Sequence, residues 1–322
     1  MRVDNISKTN FQGALNSKHV LKALETISNH SATFSAAVAV GSSIFLRPLA
    51  INLTPNVKKE NKEHSISHSI ASGLVKLLAA CAISIPIENA VKNIEKNPKN
   101  FLKPNAVEFL KDKKSFDFAS QTLKLSSSLV SAIPKTILTV SLIPFILKNL
   151  YKPKQNKEPI KDKTSFKGKL QDDFTKLISK YFNNDFVQNF ARKNQSHSTN
   201  VARNMTILTD AVLAGSFAIN TKRNKNISPE RKNNLIYNSL LSTGLSILGG
   251  FGLDKFVQKQ GKGLMEKFIA ANKDNPKLST YIQGINVLRP AIIFAFVYYG
   301  ILPVISNYFA QKISNKEAQN PT

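Results

Sequence analysis

The chain has 322 residues, a formal net charge of +25 and one cysteine, Cys81. A lone cysteine excludes an intramolecular disulfide and a thiolate metal cluster, so a disulfide-stapled secreted module is ruled out. The length suits one body of two similar halves. The Lys excess favours anionic surfaces, with compositional bias toward Lys, Asn and Ile as the plainer explanation.

Mean hydropathy is −0.17, low for a multipass protein, so a membrane assignment has to rest on local apolar runs. Residues 1–31 are polar, with Val20, Leu21, Leu24 and Ile27 at helical spacing and no basic-then-apolar start, which predicts no cleaved signal peptide. Three apolar segments follow within residues 32–150: Ala32 to Leu53, Ser65 to Ile87 and Leu125 to Leu150. Pro48 is expected to kink or end the first and Pro86 to close the second.

Residues 151–203 form a basic linker. Its first part is Lys- and Pro-rich; its second carries Leu170, Phe174, Leu177, Ile178, Tyr181 and Phe182 on one helical face, expected to lie on a membrane surface or on the helical body. Residues 204–311 hold three more apolar segments, Met205 to Ile219, Leu235 to Phe256 and Ile285 to Ala310, the last kinked at Pro303; residues 312–322 are a polar tail. A run of about 20 apolar residues is long enough to cross a bilayer core.

The two groups of segments resemble each other. Ala37, Val38, Gly41, Ser42 and Pro55 fall on Ala211, Val212, Gly215, Ser216 and Pro229 at one constant offset, and Gly73 falls on Gly244 after a three-residue slip. The expected fold is therefore all-α: a polytopic bundle of about six apolar helices built from two tandem three-helix repeats, with amphipathic connector helices. An odd number of spans per repeat would insert the second half upside down, as in inverted-repeat transporters. The positive-inside rule does not choose an orientation when the six segments are taken to alternate across the membrane.

Charged residues inside apolar runs are the candidate binding residues: Arg47, Lys76, Lys135, Asp210 and Arg289. A charge at mid-depth costs about 2.5–3.5 kcal/mol on insertion scales, so each is expected to pair, face water or snorkel. Asp210 is read as the acidic residue of the apolar runs, with Lys76 as its expected partner. Arg47, Lys135 and Arg289 stand beside prolines and also fit as interfacial anchors. Glu60, His64 and His68 sit one helical turn apart, but no fourth ligand accompanies them and no metal site is assigned.

No phosphate loop, GxSxG elbow, HExxH or paired carboxylates occur, so neither catalysis nor a cofactor is expected. The basic residues are scattered without interleaved aromatics, against nucleic-acid binding. The expectation is a multipass membrane protein acting as a non-catalytic scaffold or in lipid or solute handling, with anionic lipids as partners. The alternatives are an inverted-repeat transporter or channel, and a soluble or peripheral helical protein on anionic surfaces.

Overall fold

The computed structural model describes residues 17–306, apart from 56, 58, 133, 139–167 and 224–228. The Lys- and Pro-rich part of the linker, most of the Leu125 to Leu150 segment and the C-terminal tail lie outside the described residues, as do the side chains of Glu60 and His64. Among the described residues 92% are helical and none is in a strand, so the protein is all-α. In chain order the helices are α1 (Lys18–Asn29), α2 (Ser31–Leu53), α3 (residues 59–96), α4 (Pro98–Phe101), α5 (Pro104–Lys111), α6 (Lys113–Val130), α7 (Gly168–Phe182), α8 (Asp185–Asn194), α9 (Val201–Arg223), α10 (Pro229–Gln260), α11 (Lys262–Ala271) and α12 (Leu278–Ser306). Residues 134–138 continue helically beyond α6.

The prolines in the long helices neither end nor close them. Each of Pro48, Pro86 and Pro303 is preceded by a π-helical stretch, Ser42–Leu46, Ala80–Ser84 and Phe296–Ile301. The last N–H before each proline bonds five residues back: Arg47 to Ser42, Ile85 to Ala80 and Leu302 to Val297. A proline ring crowds the carbonyl four residues upstream and offers it no N–H; a widened turn takes up both defects, so the helix runs on. This corrects the expected close at Pro86, and of the kink or end expected at Pro48 it removes the end.

Among the described residues, four helices are long and apolar enough to cross a membrane: α2, residues 65–96 of α3, residues 239–260 of α10, and α12. Segment four lies within α9, which is diluted by Arg203, Asn204, Asp210, Asn220 and Lys222 and is not among them. Segment three has only its first part among the described residues.

The molecule divides into a packed head and an apolar belt. In the head, Val91 and Ile94 of α3, Phe109 of α5, Phe116 of α6 and Phe182 of α7 are sealed into one core. The Phe116 and Phe182 rings stack with centroids 4.9 Å apart. Phe174 and Tyr181 pack on this core and Leu177 faces outward, so the amphipathic face of α7 rests on the helical body. A satellite cluster of Leu24, Phe268 and Tyr281 seals α1 against α12. There Gly284 is needed for close approach, because a Cβ would lie 2.3 Å from the Leu24 carbonyl oxygen.

In the belt, large apolar side chains point outward: Phe45, Leu53, Leu78, Val130, Leu241, Leu248 and Phe296 are all more than half exposed. α2 and α3 form one hairpin and α9 and α10 another. Between them α6 and α12 each pack on both α2 and α9, making a four-helix centre through which the two expected halves interleave. Gly73 of α3 fits tightly, since a Cβ would come 2.9 Å from Ile44, whereas its sequence counterpart Gly244 has nothing within 4 Å.

Candidate functional site: charges of the polar stratum and the belt

A polar stratum separates head from belt. The N-terminus of α2 has no side-chain cap of its own, and Glu88 of α3 supplies one. Its Oε1 accepts from the N–H groups of Ala32 (2.7 Å) and Thr33 (3.0 Å), and its Oε2 accepts from Thr33 Oγ1 (2.5 Å) and faces His30 Nδ1 at 3.4 Å. A carboxylate with 1% exposure is tolerable here because exposed helix N–H groups and the helix dipole both favour negative charge.

Near the start of α9 the chemistry differs. Asp254 of α10, with no exposed surface, accepts from Arg289 Nε (2.7 Å) and Arg203 Nη1 (3.3 Å). Arg289 also donates to Thr199 O (3.2 Å) and Asn286 Oδ1 (3.4 Å), and the Arg203 guanidinium lies 4.7 Å from the Phe251 ring centroid. One carboxylate thus holds two guanidiniums and ties α9, α10 and α12 together.

The sequence reading passed over this triad. Asp254 falls inside the Leu235 to Phe256 run, so Asp210 is not the acidic residue of the runs but one of two. Arg289 belongs to the stratum and not to mid-belt. The partners lie 51 and 35 residues from Asp254, and no local spacing announces such a contact.

Gln121 of α6 links the two node regions: its Nε2 donates to Ser28 O (3.2 Å) and Gln283 Oε1 (3.2 Å), and Gln121 lines a small cavity with Ser198 and Val201. The starts of α2 and α9 therefore sit at one level, and the two hairpins leave it in the same direction. Asn220 near the end of α9 donates to Thr136 Oγ1 (3.0 Å), which places residue 136 at the far end of the belt. The hairpins are thus related in the same sense, opposite to the inverted sense expected from an odd number of spans.

The other four expected residues lie on the belt helices α2, α3 and α9 and on the continuation of α6. Counting helical rise from the stratum, Asp210 and Lys76 stand roughly 10–20 Å deep, near the middle of a bilayer core, and Lys135, next to Thr136, lies deeper, toward the far end of the belt. Lys76 Nζ donates to Ser43 Oγ (3.2 Å) and to the Tyr299 hydroxyl. It meets the hydroxyl edge of that ring, 4.8 Å from the centroid, and not its face. Lys76 is also the charged neighbour of both Lys135 and Asp210. Arg47 lies 5.6 Å from the Tyr298 centroid, with its Nε buried and unpartnered.

The expected Asp210–Lys76 ion pair is not formed: among the described residues no ion pair or hydrogen bond joins them, and Lys76 turns to Ser43 and Tyr299 instead. Ser43 and the two tyrosines sit on the π turns of α2 and α12, which touch. A π turn rotates the following side chains relative to a plain helix, and here two such turns aim polar groups inward from helices whose outer faces are apolar. No three His, Cys, Asp or Glu side chains gather as a metal centre among the described residues. No family model, curated protein or solved structure matches the chain.

Proposed function

We propose that this is an integral membrane protein whose belt sits in the bilayer and whose basic helical head stands on one side of it, with a non-catalytic scaffold or lipid- or solute-handling role. The observation that carries this reading is the abrupt change in exposure at the polar stratum. Belt helices present contiguous leucine and phenylalanine to the outside, an arrangement that water penalises at about 25 cal/mol per Å² and hydrocarbon does not.

With both hairpins leaving the stratum in the same sense, residues 85–124, 168–203 and 254–289 share one side. The head side then carries more Lys and Arg than the two hairpin turns, which themselves hold Lys58, Lys59 and Lys62 and Lys222, Arg223, Lys225, Arg231 and Lys232, and on that excess the positive-inside rule favours a cytoplasmic head. Anionic headgroups are its expected surface.

Phe45, Leu248 and Phe186 are 73%, 72% and 75% exposed, the first two in the belt and the third on the head. In a Cys81→Ala background, single cysteines at these positions in native membranes distinguish water from lipid. A charged maleimide should label Phe186→Cys and leave Phe45→Cys and Leu248→Cys unreacted until the membrane is dissolved in denaturing detergent. Equal labelling of all three, with release of the protein by a carbonate wash, would return the chain to the peripheral class.

A further inference from the structure

We infer that Arg47, Lys76 and Lys135 form a binding site for the oxyanion head of an amphiphile, a lipid phosphate or a fatty carboxylate, entered sideways from the hydrocarbon. The inference rests on the membrane reading above and names a ligand class for it.

Charge is the first argument. Three cations from α2, α3 and the continuation of α6 share the belt with one carboxylate, Asp210, which makes no ion pair with any of them. Buried excess charge is retained only where something compensates it. The stratum, by contrast, binds its two guanidiniums to Asp254, so the chain has carboxylates where it needs internal compensation.

Unspent hydrogen-bonding capacity is the second. Arg47 Nε is buried and has no acceptor, and the Tyr298 ring offers only its π face. Lys76 has only neutral hydroxyls as hydrogen-bond partners. A guanidinium and ammonium groups held apart by tyrosines present donors that a phosphate or carboxylate accepts directly, at shorter and stronger contacts than neutral partners make.

Access is the third. The exposed side chains of these elements are apolar: Phe45 and Leu49 on α2, Ile137 and Leu138 after α6, and Phe296 on α12. A free anion would have to cross apolar surface unaccompanied. An amphiphile already in the leaflet brings its head in while its tail stays against these side chains.

The test uses the full chain purified in a neutral detergent, with the thermal unfolding midpoint followed by circular dichroism during titration. Dioctanoyl phosphatidic acid and decanoate should raise the midpoint saturably; dioctanoylglycerol should not. Inorganic phosphate separates the sources, and a saturable shift from it at equal affinity would overturn the amphiphile and leave a free-anion site. Arg47→Gln and Lys135→Met should each weaken phosphatidic acid binding about tenfold. Arg47→Lys should keep part of it, and Lys113→Gln on the exposed head should change nothing.

Should Arg47→Gln fail to fold, native mass spectrometry of the wild-type chain replaces it: bound phospholipid should be enriched in anionic species over the membrane extract. Absence of any shift with the anionic amphiphiles, undiminished binding in both substitutions, or no such enrichment rejects the site. A protein that resists carbonate yet binds no anionic amphiphile sinks this inference alone, whereas release by carbonate sinks the membrane reading with it.

Discussion

Along α3 the side chains change their surroundings at the polar stratum. Val91 and Ile94, on the head side, are sealed by α6 and α7, while Leu77 and Leu78, about four turns earlier on the same helix, face outward. The residue types are equivalent, so sequence hydropathy alone does not separate them. What differs is the supply of neighbours: α7 packs against residues 85–96 and α8 against α6, covering the head, and no comparable connector covers the belt among the described residues. One helix thus serves as a core element over part of its length and as an outward-facing apolar element over the rest. This also explains the low mean hydropathy, because the polar connectors build a second, water-facing core.

The two carboxylates on α9 and α10 give the sharpest way to test this division. Asp254 is fully enclosed by Arg203 and Arg289, and Asp254→Ala leaves two guanidiniums without a counter-charge in a buried site. A loss of about 3–5 kcal/mol is expected, read by chemical unfolding in detergent. Asp210→Asn removes a carboxylate that holds no ion pair and should cost much less. Equal losses would mean that the stratum is not the anchoring layer.

Truncation of large side chains comes next. Phe109→Ala empties a site with no exposed surface and should cost about 3–5 kcal/mol. Leu248→Ala, with the side chain 72% exposed, should stay within about 0.5 kcal/mol. A large penalty at Leu248 would show that the belt face is covered by another protein surface and not by lipid.

The sequence was legible where the signal was local. Helical periodicity and apolar runs foretold an all-α chain and the amphipathic face of α7. The proline rule misled at Pro86, because a π turn satisfies the same steric demand without ending the helix. Asp254 was hidden by its place at the edge of an uncharged run, where an acidic residue reads as the onset of solvent. Its role depends on Arg203 and Arg289 arriving from other helices, and the only local hint was a charge set one turn beyond the Gly249, Gly250 and Gly252 cluster. The Lys76 contact with Tyr299 spans 223 residues and had no local trace.

A pH-dependent effect is expected at Asp117, on the head side of α6. Burial pushes its carboxyl up from the ordinary value of 3.8 to about 6, with Glu95 adding to the rise and Lys113 and Lys124 opposing it. A carboxyl raised in the fold binds its proton more tightly there than in the unfolded chain. Its contribution to stability is therefore complete below pH 4 and is lost as pH rises through about 6. At pH 8 the ionised group weighs against the head by about 1–2 kcal/mol once partial exposure is allowed for. Asp117→Asn keeps a hydrogen-bonding partner for Gln283 without the charge, so it should stabilise the protein at pH 8, by a margin that shrinks through pH 6 and vanishes near pH 4. Unfolding curves of the two proteins at pH 4, 6 and 8 measure this directly. A difference that stays constant with pH would place Asp117 in water, and a difference that grows as pH falls would mean that Lys113 and Lys124 outweigh burial and that the head is wetter at α6 than its sealed phenylalanines indicate.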